Sequence, residues 1–166
     1  EGEFGQALKF AEASAERRGA GRPSDASTAA RNNFLARDLA RALDADEIEL
    51  LFQPQVDFES GEVRGVEALM RWRHADFGEL SAAALLDAAD RAGLAGQLSA
   101  RVHARALQAA MAWPADLDRL RLSINVTAED VTDPDFAATF LALVKASGFP
   151  EARLTVEVTE RGLIEH

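Results

Sequence analysis

Glu67, Asn125 and Glu157 carry side-chain oxygen donors. Oxygen-only ligand sets select hard cations such as Mg²⁺ or Mn²⁺ over softer metals. Brought together in a partly dry site, the two carboxylates would repel unless one were protonated or a cation sat between them. A cation held there can polarise a phosphoryl oxygen and generate hydroxide from bound water. Arg71 adds a guanidinium fork that matches a phosphate, and Gln53 adds an amide. Taken singly, each residue is more commonly a solvated group or half of a surface ion pair. What joins them is the alternation of the segments in which they lie.

Side chains alternate faces along a strand. In residues 121–126, Leu122, Ile124 and Val126 share one face, and Ser123 and Asn125 the other. In residues 154–159, Leu154, Val156 and Val158 oppose Thr155, Glu157 and Thr159. Earlier in the chain, Gly65, Glu67, Leu69 and Arg71 share a parity, against Val66, Ala68, Met70 and Trp72. Leu51, Gln53 and Gln55 share another. An antiparallel edge sheet would turn such polar faces to solvent. A parallel sheet covered by helices usually reads apolar on both faces, so a polar face within one needs a different reason. A barrel supplies it: helices cover the outside, and the strand ends open into a site. On this pattern Gln53, Glu67, Arg71, Asn125 and Glu157 face one central space. Leu122, Ile124, Val156 and Val158 are expected to pack under helices.

The elements that position these residues follow from periodicity and turn chemistry. Strands are expected over residues 48–56, 62–73, 119–126 and 153–159. Helices are expected over residues 29–43, 81–92, 98–113 and 134–147, with Gly93 and Gly148 as stops. Residues 1–19 read as a helix end and residues 19–28 as a linker. After the first hairpin, strands alternate with helices, the order of an α/β protein with a largely parallel sheet. Hydrophobic residues make up 48% of the 166-residue chain, enough for one core. The formal charge of −10 repels a nucleic-acid backbone and disfavours a DNA or RNA polymer as partner, though not a small nucleotide. Cysteine is absent, which excludes disulfides and thiolate metal sites and fits a cytoplasmic setting. No apolar run approaches the roughly 20 residues of a membrane-spanning helix.

Four segments resemble a known family. Leu51-Phe52-Gln53-Pro54-Gln55-Val56-Asp57 is similar to the Tyr-Gln-Pro strand that opens EAL domains. Residues 65–74 contain the signature Glu67-Ala68-Leu69, followed by Arg71-Trp72-Arg73-His74. Residues 122–127 resemble the family's Asn-bearing segment, and residues 154–160 its Glu-x-Thr-Glu strand. The resemblance implies the N-terminal part, residues 29–166, of a TIM-like (β/α)8 barrel whose first strand runs antiparallel to the rest. It implies a phosphodiesterase that hydrolyses cyclic-di-GMP to linear pGpG with two divalent cations, Mg²⁺ or Mn²⁺. By position, Glu67, Asn125 and Glu157 would be metal ligands. Glu67 and Glu160 would be catalytic, Glu160 by steadying a loop. Arg71 would contact substrate phosphate, and Gln53 and Leu69 would line the substrate site. Residues 1–19 also resemble the last helix of a GGDEF domain, which suggests a tandem GGDEF–EAL parent.

Phe52 stands where the family usually has Tyr, and residues 82–90 depart from its Pro-x-x-Phe-Ile-Pro-Leu-Ala-Glu pattern. Asp76-Phe77-Gly78 lies in a loop and not on the family's later Asp-Asp-Phe-Gly strand. That strand and a later catalytic Lys have no counterpart in the sequence. The chain alone is therefore expected to be inactive. A competing reading is a catalytically inactive module that binds cyclic-di-GMP or regulates through it. An open sheet edge at residues 154–159 predicts a homodimer.

Overall fold

The computed structural model describes residues 25–158. The helix and GGDEF likeness read over residues 1–19, and Glu160, lie outside the described residues. Helix α1 (Asp25–Asp44) begins inside the stretch that composition assigned to a linker. Its opening, Asp-Ala-Ser-Thr-Ala-Ala, accounts for this: Asp, Ser and Thr suit a first helical turn as well as a loop, and Ala is the strongest helix former. From Asn32 onward the chain forms one compact unit. Its core takes Leu35, Leu39, Ala42 and Leu43 from α1. Asp46 closes the helix at φ 61, a left-handed conformation that a short polar side chain tolerates.

Strands β1 (Ile48–Val56) and β2 (Val63–His74) form an antiparallel hairpin. At its turn Asp57 Oδ1 accepts from the Ser60 and Glu59 amides at 2.8 and 3.1 Å. These bonds hold the Asp57 carboxyl below the usual carboxylate range. A short strand, β3 (Gly78–Leu80), pairs antiparallel with the end of β2, where the sequence indicated only a loop. Three residues with one apolar side chain carry too little periodicity to be recognised.

Helix α2 (Ala82–Ala92) is capped by Ser81 and ended by Gly93 at φ 66. Helix α3 (Ala95–Met111) follows at once, starting before the expected residue 98. Strand β4 (Arg121–Val126) runs parallel to β2. The single helix expected over 134–147 is preceded by a second, short one, α4 (Ala128–Thr132), and itself runs as α5 (Phe136–Ser147). A reciprocal capping box makes α4: Asp130 N–H donates to Thr127 Oγ1, and Thr127 N–H donates to Asp130 Oδ2. Strand β5 (Leu154–Val158) lies parallel to β4. The sheet order is β1-β2-β4-β5, with the first strand antiparallel to the others.

The apolar face of the sheet packs against the helices. Val66, Ala68, Leu122 and Ile124 meet Ala106, Leu107 and Ala110 of α3 and Phe140 and Val144 of α5. Trp72 joins Leu85, Ala88 and Ala89 of α2 and the core face of α1. Burial of each Leu in such a core stabilises by roughly 1.5–3 kcal/mol. The expectation that Val156 and Val158 pack under helices is not met: they are 45% and 49% exposed. Only the start of β5 reaches that core: Leu154 packs against the cluster lined by α3 and α5, while the later Val156 and Val158 stay exposed.

Candidate functional site

Register brings the polar face together. Gln53 stands opposite Glu67, Glu67 opposite Ser123, and Asn125 opposite Glu157. Residues directly opposite on paired strands project to one side of a sheet. Across β2 and β4, the Asn125 amide donates to Glu67 Oε1 at 2.7 Å. Across β1, β4 and β5, Ser123 Oγ donates to Gln55 Oε1 at 3.2 Å, and Gln55 Nε2 donates to Glu157 Oε1 at 3.2 Å. Glu67, Asn125 and Glu157 are half-buried, and Ser123 is buried.

Gln55 reaches Ser123 and Glu157 by crossing over Gly65. A Cβ at Gly65 would sit 3.2 Å from Gln55 Oε1 and 3.0 Å from the Arg121 carbonyl oxygen. The glycine therefore keeps open the lane that the glutamine uses. Sequence parity placed Gln55 and Ser123 on the polar face but did not single them out. The signal for their contact is the β1–β2 register, which sets Gln55 opposite Gly65.

Among the described residues, Glu67 and Glu157 form no ion pair; each accepts from a neutral amide. Two carboxylates and an amide thus share one face, and the nearest guanidinium on it, that of Arg121, donates to Thr155 Oγ1 rather than to either carboxylate. This donor set fits a hard divalent cation. It is also short of a full shell: no cluster of three His, Cys, Asp or Glu occurs among the described residues. Six-coordinate geometry would need waters or further ligands.

The other expected site residues are more loosely grouped. Gln53 is exposed, and Leu69 pairs with Leu51 on the same face. Arg71 shares the parity of Glu67 but stands four residues further along β2. Its guanidinium donates to the Met70 carbonyl at 2.8 Å and approaches Glu79 at 3.9 Å. Glu160 is outside the described residues.

One residue behind the sheet was not anticipated. His103 of α3 is 2% exposed and packs edge-on against Phe140, ring centres 5.2 Å apart. Its Nε2 lies 3.0 Å from the backbone carbonyl of Asn125. Because a carbonyl only accepts, Nε2 carries the hydrogen and donates. Burial pushes the imidazole below its ordinary value, which favours the neutral form. In the sequence His103 sits on the apolar stripe of Leu107 and Ala110, where it reads as core.

The mixed sheet, its antiparallel first strand and the acidic, amide-rich inner face define part of a TIM-like α/β barrel. The family model of the EAL domain matches residues 36–166, and the chain belongs to that family. It is 36% identical over 131 residues to a cyclic di-GMP phosphodiesterase of Pseudomonas aeruginosa, covering 78% of this chain and 22% of the relative. Among solved structures it resembles the PaMucR phosphodiesterase in complex with c-di-GMP, at TM-score 0.69 and 27% identity over 76% of this chain and 51% of that one. It shares its fold with the FimX EAL domain from Pseudomonas aeruginosa bound to c-di-GMP, at TM-score 0.65 and 23% identity over 76% of this chain and 50% of that one. The chain spans about half of these solved domains and about a fifth of the curated relative. No described helix is long and apolar enough to cross a membrane.

Proposed function

We propose that the domain to which this chain belongs hydrolyses cyclic-di-GMP to linear pGpG with Mg²⁺ or Mn²⁺, as a cytoplasmic component of bacterial second-messenger signalling. The observation that carries this reading is the Glu67–Asn125 contact with Glu157 on the adjoining strand. Two carboxylates and an amide from three strands share the side of the sheet away from the helices.

In this reading Glu67, Asn125 and Glu157 hold the divalent cation. When bound, the cation supplies Lewis-acid polarisation of a phosphoryl oxygen and a water acidic enough to attack. Gln55 and Ser123 fix the Glu157 carboxylate. In this reading Arg71, toward the far end of β2, exchanges its bond to the Met70 carbonyl for a substrate phosphate, which its planar fork can clamp. Leu69 lies between Glu67 and Arg71 on β2, Gln53 stands beside Glu67 on β1, and in this reading both line the path of the nucleotide. In this reading Glu160 steadies a catalytic loop. Turnover is assigned to the whole domain and not to these residues alone.

The test is hydrolysis of cyclic-di-GMP by the full-length protein, followed as pGpG by chromatography with Mn²⁺ present. Glu67→Gln and Glu157→Gln should each lower the rate by roughly two orders of magnitude or more, since an unactivated water is a far weaker nucleophile. Their melting temperatures should stay near that of the parent. Normal turnover in either variant would overturn the assignment. Binding without turnover in the parent would favour a non-hydrolytic binding module instead.

A further inference from the structure

The ladder between β2 and β4 ends at the pair Ala68 and Ile124. One residue beyond it, the Asn125 carbonyl accepts from a side chain, the buried imidazole of His103. A small cavity lined by Met70, Val102, His103, Asn125 and Val126 marks the place where the strands part. A buried carbonyl left without a donor is strongly disfavoured. His103 therefore does at this point what a β2 amide does further back along β4.

The same face of α3 grips the chain again just past Asn125. Ser99 lies one turn before His103, at the i,i+4 spacing that stacks side chains on one helix face. Its hydroxyl donates to Asp130 Oδ2 at 3.0 Å, the oxygen that also receives the Thr127 amide. The end of β4 is thus pinned at the Asn125 carbonyl and at the α4 capping box. Between the pins, the Asn125 side chain projects through to the opposite face and donates to Glu67.

We infer that His103 is a positioning residue for Asn125, setting the height and direction from which the Asn125 amide meets Glu67 and a cation. This rests on the metal-site reading proposed above. It assigns to His103 more than core packing. Outer partners that orient a ligand commonly alter metal affinity by 10–100-fold when removed. His103 acts through a backbone carbonyl and not through the ligating atoms, so the low end of that range, about tenfold, is expected.

The experiment uses the full-length protein and reads Mn²⁺ binding by calorimetry without substrate, together with melting of the metal-free protein. His103→Leu should weaken Mn²⁺ binding about tenfold. His103→Gln, whose amide nitrogen stands close to the place of Nε2, should restore most of it. In an Asn125→Ala background, His103→Leu should change Mn²⁺ affinity little, because the residue it positions is gone. A His103→Leu protein that melts earlier yet binds Mn²⁺ normally would overturn the inference. So would an equal loss of affinity in both backgrounds, since packing alone would then explain it. If His103→Leu does not fold, His103→Met, nearer in volume to the glutamine variant, takes its place in the cycle. If Asn125→Ala itself leaves Mn²⁺ affinity unchanged, the metal-site reading falls and the inference with it. If Asn125→Ala weakens binding and the His103 variants do not, only the inference falls.

Discussion

Gly65→Ala should destabilise the protein, although the Gly65 backbone is not in the left-handed region that only glycine favours. At an unstrained position, replacing Gly by Ala stabilises by about 0.4–1 kcal/mol through the unfolded chain. Here the new methyl would lie 3.0 Å from the Arg121 carbonyl oxygen and 3.2 Å from Gln55 Oε1. Arg121 is the ladder partner of Gly65, so its carbonyl cannot retreat without parting β2 from β4. Overpacking of this kind costs about 1–3 kcal/mol. Displacing Gln55 also forfeits its bonds to Ser123 and Glu157, each worth about 1 kcal/mol. The crowding outweighs the entropy gain, for a net loss of about 2–4 kcal/mol. Urea denaturation measures it: with a slope near 2 kcal/mol/M, the midpoint should fall by about 1–2 M. In a Gln55→Ala background the penalty of Gly65→Ala should shrink by about 2 kcal/mol, because the side chain that needs the lane, and both of its bonds, are absent. A Gly65→Ala protein as stable as the parent, or an undiminished penalty beside Gln55→Ala, would refute the reasoning.

Thr127→Ala removes the N-cap of α4 and should lower stability by about 1 kcal/mol, seen as an earlier thermal melt; an unchanged melt would show that Asp130 and Ser99 hold the turn unaided. The His103 imidazole titrates below its unfolded value, so on acidification the unfolded state binds the proton first. Stability from this group is complete above about pH 6.5 and falls as pH drops toward the folded value, by at most about 1.4 kcal/mol per pH unit. Denaturation between pH 7 and 5 should show that slope in the parent and a shallower one in His103→Leu; parallel curves would contradict it. Residues 1–166 on their own should self-associate through β5, where Val156 and Val158 are exposed on an edge strand. Light scattering that gives 17.9 kDa at every concentration would show that the edge is self-sufficient.

Much of the inner face was legible because strand alternation is a local rule. Glu67, Asn125 and Glu157 could be assigned to polar faces from their immediate neighbours, and the order of elements then required an interior for those faces. What parity cannot give is which strand lies beside which, and with what offset. The Gln55–Ser123 and Gln55–Glu157 contacts depend on that register, so Gln55 passed as an ordinary strand residue. The exposure of Val156 and Val158 is likewise a matter of what covers a strand and not of its own pattern. β3 and α4 are too short for a hydrophobic period to develop, and α4 is made by a capping box rather than by a stripe. His103 was hidden for the opposite reason. It fits the apolar stripe of α3, and only the strand behind it reveals that its ring nitrogen meets the Asn125 carbonyl.

The account stands most directly on where a cation binds. Anomalous diffraction from crystals of the full-length protein grown with Mn²⁺ locates it without reference to activity. The predicted result is a Mn²⁺ peak on the inner face, with carboxylate oxygens of Glu67 and Glu157 and the Asn125 amide oxygen as ligands. The Asn125 nitrogen should have left Glu67 to make room. A Mn²⁺ peak held by other side chains, or an Asn125–Glu67 hydrogen bond that persists at saturating Mn²⁺ with no peak beside it, would contradict the account.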